Sequence, residues 1–109
     1  MQKTGFKSTS IFFSDIVGYS SMIARNETAA LHLLDEHDII LKKHIKNNNG
    51  TIIKHIGDAI FSEFDNSNRA IKASIEIQKE LKCRNENAKG SDNIVIRIGL
   101  HYGNVVVKR

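Results

Sequence analysis

The sequence predicts an α+β fold with the element order βαββαβ, in which helices cover one face of an antiparallel or mixed sheet. Two observations support it. Short runs of β-branched and aromatic residues alternate with two longer stretches whose apolar residues recur every three or four positions. Only a glycine and an aspartate separate the second and third strand-like runs, as in a β-hairpin. This element order is the split βαβ, or ferredoxin-like, palm.

The first half of the chain is predicted to hold one strand and two helices. Residues 9–15 favour a strand because they are β-branched and aromatic, and the strand ends on Asp15. A short helical turn is expected over residues 19–24. Asn26 can cap a longer helix that begins at the next residue and ends in the Asn- and Gly-rich residues 47–50. The apolar stripe of this longer helix is Ala30, Leu33, Leu34, His37, Leu41 and Ile45.

A β-hairpin and a second long helix follow. Residues 51–56 and 59–64 are strand-like, and the two residues between them predict a tight turn. Asn66 or Ser67 can cap the helix that comes next. The predicted buried stripe of that helix is Ala70, Ala73, Ile77 and Leu81.

The last part of the chain is predicted to hold a loop and a strand. Residues 85–93 are polar and indicate a loop. From Ile94 the residues alternate strictly, which is typical of a half-buried strand. One face is expected to carry Ile94, Ile96, Ile98 and Leu100, and the other Val95, Arg97, Gly99 and His101. A turn at residues 102–104 is expected to lead into a final short strand, residues 105–107.

The composition indicates one domain over residues 1–109 and excludes wholesale disorder. The 109 residues are 40% hydrophobic and 26% charged, which supplies enough apolar surface for one core. No apolar run approaches the roughly 18 residues of a membrane-spanning helix. We therefore expect a cytoplasmic domain, and any membrane attachment would come only through domains outside this sequence.

The net charge indicates the kind of partner, and the cysteine count indicates the kind of cellular compartment. Lys and Arg number 16 against 12 Asp and Glu, and the formal charge of +4 favours anionic partners. The single cysteine, Cys83, excludes an internal disulfide and fits a reducing compartment. The five histidines are expected to be partly buried or at the surface, with no shared metal site.

Two aspartates are predicted to meet at one edge of the sheet. In this fold the first strand lies beside the third, so Asp15 at the end of one is placed against Asp58 at the start of the other. Two carboxylates this close repel each other unless a cation lies between them. Their oxygens suit Mg²⁺ or Mn²⁺, and the pair indicates a two-metal site for phosphoryl chemistry. The alternative is a structural role for both residues.

A turn and an arginine could bind phosphate near that pair. Gly18 allows the backbone to approach a ligand, and the helix start that follows offers N–H groups to an anion. Arg97, on the face opposite the isoleucines, carries a permanent charge that suits phosphate. The alternatives are an ordinary strand-to-helix turn and a solvated or sheet-paired arginine.

Three segments resemble, in order and spacing, signatures of the class III adenylyl/guanylyl cyclase catalytic domain. They are residues 13–20 (FSDIVGYS), residues 54–61 (KHIGDAIF) and residues 97–105 (RIGLHYGNV). The resemblance covers about residues 7–109 and is far more specific jointly than any one segment. It implies a phosphorus–oxygen lyase of intracellular signalling that makes a cyclic nucleotide.

The resemblance also implies roles for individual residues. Asp15 and Asp58 match catalytic aspartates that bind two Mg²⁺ or Mn²⁺ ions, with the carbonyl of Ile16 as a further ligand. In the family the metals activate the ribose 3′-hydroxyl for attack on the α-phosphate, which releases pyrophosphate. The phosphate-contacting positions are Val17, Gly18, Tyr19, Ser20 and Arg97.

Lys54 matches a position that selects the purine base. Adenylyl enzymes of the family typically carry Lys here and guanylyl enzymes carry Glu. An ammonium donates a hydrogen bond to adenine N1, whereas guanine N1–H needs an acceptor. The resemblance therefore implies ATP as the substrate and cyclic AMP as the product, with guanylyl cyclase as the alternative that Lys54 disfavours.

The resemblance further implies a dimer and a longer catalytic domain. The family continues past a segment like residues 102–107 into elements that carry a second base-selecting residue, an Asn and an Arg. Family active sites form between two subunits. We therefore expect a homodimer in the full-length protein, and little or no cyclase activity from this partial domain alone.

Two alternatives to a catalytic domain belong to other functional classes. A degenerate cyclase-like module would only dimerise or bind a nucleotide, and the intact pair Asp15 and Asp58 disfavours it. An RNA-binding βαββαβ domain would need an aromatic stacking pair on its central strands, and the fourth strand offers Arg97 instead. We therefore expect no nucleic-acid partner.

Overall fold

The computed structural model describes residues 4–88 and 92–108, with side chains described for residues 9–88 and 92–103. Three helices and four strands follow one another in the predicted order. They are β1 (Thr4–Ile16), α1 (Tyr19–Arg25), α2 (Glu27–Asn47), β2 (Thr51–Ile56), β3 (Ala59–Phe64), α3 (Ser67–Asn87) and β4 (Ile96–Lys108). No helix in the described part of the chain is both long and apolar enough to cross a membrane.

The four strands form one sheet in the order β2-β3-β1-β4. Every neighbouring pair is antiparallel. The predicted contact between the first and third strands is confirmed, since Phe13 lies opposite Phe61 and Ser14 lies opposite Ile60. Because β1 and β2 both run antiparallel to β3, they are parallel to each other, as the crossover predicts. The α+β palm is therefore confirmed.

Asparagine side chains begin both long helices. The Asn26 Oδ1 atom accepts a hydrogen bond from the N–H of Ala29 at 3.0 Å, as predicted. At α3 the capping residue is Asn66, whose Oδ1 accepts a hydrogen bond from the N–H of Arg69 at 2.9 Å. Ser67, the alternative cap, instead shares a 2.9 Å hydrogen bond with the Ser10 hydroxyl of β1.

The core lies between the helices and one face of the sheet. Alternate residues of β1 and β3 are buried, so the helix-facing side carries the core and the opposite side, called the open face below, is half-exposed. All four predicted stripe residues of α3 are buried. In α2 the stripe is confirmed except that Leu34 is only partly buried and Ile40 is added. The largest buried apolar side chains include Phe12, Leu41, Ile45, Ile60, Phe64 and Ile77.

The predicted turn at residues 102–104 is wrong, because β4 is one continuous strand. Its thirteen residues pair with β1 along the whole length, from Thr4 opposite Lys108 to Ile16 opposite Ile96. The same pairing extends β1 back to Thr4, five residues before its predicted start. A long partner strand satisfies the backbone groups that a local turn would leave unpaired, and this tertiary pairing overrides the local preference of Gly103.

The predicted loop at residues 85–93 is also partly wrong. Helix α3 continues to Asn87, where the Asn87 side-chain amide donates to the Cys83 carbonyl at 2.8 Å. The Asn85 side-chain oxygen accepts a hydrogen bond from the N–H of Ile94 at 2.8 Å, and its amide nitrogen donates to the Ile94 carbonyl at 3.0 Å. These bonds hold Ile94 outside the ladder, so β4 begins two residues later than predicted.

The alternation predicted for the fourth strand is confirmed only near its start. Ile94 and Ile96 are buried and Ile98 is partly buried, whereas Leu100 is 43% exposed. The helices therefore cover the first part of this face of β4 and leave Leu100 uncovered in the described structure.

Candidate functional site

Two aspartates lie at one edge of the sheet, where β1 ends and β3 begins. Ser14 pairs with Ile60, which brings the next residue of β1 beside the turn that precedes β3. Asp15 and Asp58 consequently line one cavity of about 320 Å³. The described residues around it are Asp15, Ile16, Gly18, Tyr19, Ser20, Ser21, Asp58, Ala59 and Arg97. The topology thus brings together nearly all the residues singled out from the sequence.

Asp58 is held by the backbone of β1. Its Oδ2 atom accepts a hydrogen bond from the N–H of Ile16 at 2.7 Å, which ties the hairpin turn to the end of β1. The turn needs Gly57, because its φ of 57° lies in the left-handed region that other residues rarely adopt. A charge-assisted hydrogen bond of this length positions the carboxylate at the cavity wall.

Asp15 is paired with Arg97 through both of its oxygens. The Arg97 Nε atom lies 2.9 Å from Oδ1 and Nη2 lies 3.0 Å from Oδ2, a bidentate ion pair. The two residues are direct partners in the β1–β4 register. The hydrogen bonds that Arg97 donates to Asp15 raise the pKa of Arg97 above its already high ordinary value. The sequence indicated a sheet-paired arginine as one alternative, but it did not identify Asp15 as the partner.

The turn between β1 and α1 brings backbone N–H groups to the cavity. Gly18 has a φ of 75°, and an added Cβ would meet nothing within 4 Å, so conformation rather than space requires glycine here. The first N–H groups of a helix lack partners within it, and Ser20 and Ser21 at the start of α1 line the cavity. Val17 does not line it, and its N–H donates to the Val95 carbonyl at 2.8 Å.

Tyr19 lines the same cavity, but its hydroxyl is buried. The side chain is 7% exposed, and its hydroxyl has no hydrogen-bond partner among the described residues. Burial raises the pKa of Tyr19, and the charge of Asp58 raises it further. The hydroxyl therefore stays protonated near neutral pH.

The oxygen donors of the cavity fit a hard divalent cation. The Asp15 and Asp58 carboxylates and the backbone of Ile16 belong to its wall, and no sulfur or imidazole group lies among its described lining. Nowhere in residues 4–88 and 92–108 do three or more His, Cys, Asp or Glu side chains form a group that could hold an ion. Two carboxylates leave most positions of an octahedral ion for water or phosphate oxygens.

Lys54 lies apart from the cavity. It is exposed on the edge strand β2 and pairs with Phe61, which in turn lies opposite Phe13 of β1. The two phenylalanine rings are 4.9 Å apart on the open face, between Lys54 and β4. A single copy of the chain therefore does not bring Lys54 to the aspartates.

A histidine cluster lies behind the hairpin, and the sequence did not predict it. His37 is fully buried, more deeply than expected, with Nδ1 2.9 Å from Asp38 Oδ1. The His55 Nε2 atom lies 3.4 Å from the same oxygen. The His37 Nε2 atom has no hydrogen-bond partner among the described residues. Burial lowers the pKa of His37, and the bond to Asp38 opposes that effect only in part.

Acidification is expected to destabilise the chain through His37. The folded state disfavours the charged imidazole, whereas the unfolded chain takes up a proton near the ordinary pKa of 6.5. The free energy of unfolding should therefore fall as the pH drops from about 7 to about 5, because the unfolded state binds more protons there. Urea denaturation at several pH values measures this slope, which should be shallower in His37→Leu. His32→Gln, an exposed histidine of the same helix, is the control, and an unchanged slope in His37→Leu would contradict the assignment.

The sequence matches a family and individual relatives. The family model of the adenylate and guanylate cyclase catalytic domain matches residues 1–109. An adenylate cyclase of Anabaena cylindrica is 35% identical over 106 residues, which cover 89% of this chain. The matched segment is 21% of that protein, so this chain corresponds to a small part of its relative.

Solved structures share the fold. A bacterial light-regulated adenylyl cyclase superposes with a TM-score of 0.86 at 26% identity, over 92% of this chain and 55% of that chain. An adenylate/guanylate cyclase/hydrolase from Silicibacter pomeroyi superposes with a TM-score of 0.84 at 28% identity, over 96% of this chain and 62% of that chain. Since the family model spans the whole sequence and the palm is shared, the chain belongs to the adenylate and guanylate cyclase catalytic domain family.

Proposed function

We propose that the chain is part of an adenylyl cyclase catalytic domain that converts ATP to cyclic AMP and pyrophosphate within a homodimer. The observation that carries the proposal is the gathering of Asp15, Asp58 and Arg97 around one cavity at the start of α1. Opposite charges and free helix N–H groups in one place suit a metal-bound triphosphate. The similarity to adenylate cyclases supports the reaction class.

In this proposal the aspartates and the backbone hold the cations. Asp15, Asp58 and the carbonyl of Ile16 would bind two Mg²⁺ or Mn²⁺ ions, because they are the hard oxygen donors of the cavity. When bound, the ions would favour ionisation of the ribose 3′-hydroxyl and stabilise the charge that develops on the phosphates. The hydrogen bond from Ile16 keeps one Asp58 oxygen fixed, so the other is available for a cation.

The remaining residues of the cavity would orient the triphosphate. Backbone N–H groups of the turn at Gly18, Tyr19 and Ser20 would donate to its oxygens. The Arg97 guanidinium would neutralise charge on the leaving pyrophosphate. These groups would align the α-phosphate with the attacking hydroxyl.

The position of Lys54, the proposed base-selecting residue, supports a dimer. Lys54 lies on the open face, two strands away from β1, so it would act on a nucleotide bound mainly by a second copy. The half-exposed Phe13 and Phe61 on the same face would be covered by that copy. A site shared in this way would also make a single copy inactive, which agrees with the expectation that this partial domain alone has little activity.

The proposal is tested by assaying the longest natural protein that contains residues 1–109. Incubation with Mn²⁺ and either ATP or GTP, followed by separation of the products, measures the reaction directly. We expect cyclic AMP from ATP and much less cyclic GMP from GTP. If GTP is preferred, the substrate assignment is wrong. If neither nucleotide is cyclised, the domain is a non-catalytic module.

Reversing the charge of Lys54 is expected to change the choice of base. Lys54→Glu removes the donor for adenine N1 and adds an acceptor for guanine N1–H. Losing a hydrogen bond from a charged group corresponds to about a tenfold or larger fall in kcat/KM for ATP. The measurement is the ratio of kcat/KM for ATP and GTP in the longest natural protein. Lys72→Glu makes the same charge change on exposed α3 and should leave the ratio unchanged. An unchanged ratio in Lys54→Glu would contradict the role of Lys54.

A further inference from the structure

The ion pair at the cavity engages Asp15, which is one of the proposed metal ligands. Both Asp15 oxygens face the Arg97 guanidinium, at 2.9 and 3.0 Å. A planar guanidinium bound to both oxygens occupies the two inward-facing lone pairs, from which a carboxylate binds a cation most strongly. A divalent ion can therefore use those lone pairs of Asp15 only when Arg97 moves away or gives up at least one hydrogen bond.

The surroundings favour this pairing while no other anion is present. Arg97 is the only Lys or Arg among the described residues that line the cavity, and two carboxylates share that lining. The charge of Asp58 also acts on Arg97, in the same direction as that of Asp15. Because the arginine side chain is mostly exposed, it is able to swing to another anion without disturbing the sheet.

A triphosphate changes that balance. Its oxygens offer the guanidinium a second bidentate partner, and they also fill the coordination positions that two carboxylates leave open. Moving Arg97 onto phosphate frees both Asp15 oxygens for a cation. Cation and polyphosphate then favour each other's binding through Arg97, in addition to any direct contact between them.

We propose that Arg97 closes the metal site against free divalent cations and opens it when a polyphosphate takes the guanidinium from Asp15. This inference rests on the proposed function, because it assumes that Asp15 and Asp58 hold the metal. The site is then selective for the cation–nucleotide complex over the cation alone. Arg97 has two successive partners, a carboxylate in the resting chain and a phosphate in the loaded one.

The inference is tested by titrating the 109-residue chain with Mn²⁺ alone and following free Mn²⁺ by electron paramagnetic resonance. Arg97→Gln should bind Mn²⁺ at least about threefold more tightly than the original chain, since the competing ion pair is gone. Arg97→Lys keeps the positive charge but not the planar fork, so it should also bind more tightly than the original chain. Asp58→Asn, in both the original and the Arg97→Gln background, should weaken binding and so locate the ion.

The outcomes separate the two proposals. If Asp58→Asn weakens Mn²⁺ binding but neither Arg97 variant tightens it, the metal site stands and the role of Arg97 is refuted. Tighter binding in Arg97→Gln but not in Arg97→Lys would also refute it, because charge alone would then explain the effect. If Asp58→Asn has no influence in either background, the ion binds elsewhere and both the metal site and the role of Arg97 are wrong.

Discussion

Asp58→Asn is expected to lower cyclic nucleotide formation by at least about 100-fold in the longest natural protein that contains residues 1–109. The amide has nearly the same shape as the carboxylate, and its oxygen can still accept the hydrogen bond that Ile16 donates at 2.7 Å. The substitution therefore keeps the hairpin against β1 and removes only the charge. A neutral amide oxygen is a much weaker ligand for Mg²⁺ or Mn²⁺ than a carboxylate.

The measurement is the initial rate with saturating Mn²⁺ and ATP, together with the thermal midpoint of each variant. Asp65→Asn is the matched control, because Asp65 is an exposed aspartate seven residues further along the chain, directly after β3. Its rate and midpoint should both equal those of the original protein. A rate in Asp58→Asn above about one tenth of the original, with an unchanged midpoint, would remove Asp58 from the proposed metal site.

Local signals in the sequence were sufficient for most of the fold. The apolar stripe of α3, the Asn26 cap and the two-residue hairpin turn each depend on neighbours within a few positions, and all are confirmed. Two of the errors lie where a distant partner decides. Gly103 in a turn-like segment stays in β4 because Thr9 pairs with it, and α3 is prolonged past Arg84, whose guanidinium Nε donates to Glu36 of α2 at 2.8 Å.

In the candidate site, too, some features follow from the element order and others depend on a distant partner. The adjacency of Asp15 and Asp58 follows from the strand order, which the element order predicts without any knowledge of register. The ion pair of Asp15 with Arg97 depends on register, and only a ladder of thirteen pairs places these two residues opposite each other. A shift by one position would move Arg97 to the other face of the sheet. The sequence therefore predicts most of the residues that line the cavity but not the ion pair between two of them.

Phe64→Ala is expected to destabilise the chain by about 3–5 kcal/mol. The ring is 1% exposed at the end of β3 and meets Phe12 edge-on, with 6.1 Å between the ring centres. It packs so closely against Gly50 that a Cβ added there would lie 2.6 Å from a ring carbon. Neighbours that are fixed by β1 and by the end of α2 cannot collapse into the space, so truncation leaves a cavity.

Such a loss is a large share of the roughly 5–15 kcal/mol that stabilises a domain. Thermal unfolding of the 109-residue chain should show a midpoint lower by more than about 10 °C, or no folded baseline at all. Phe61→Ala is the control on the same strand. Its ring lies on the half-exposed open face and contacts Phe13, so its removal should cost no more than about 2 kcal/mol. Equal losses of stability in the two variants would mean that the core is not concentrated on the helix-facing side of the sheet. A core on that side alone is what leaves the open face available for a second copy.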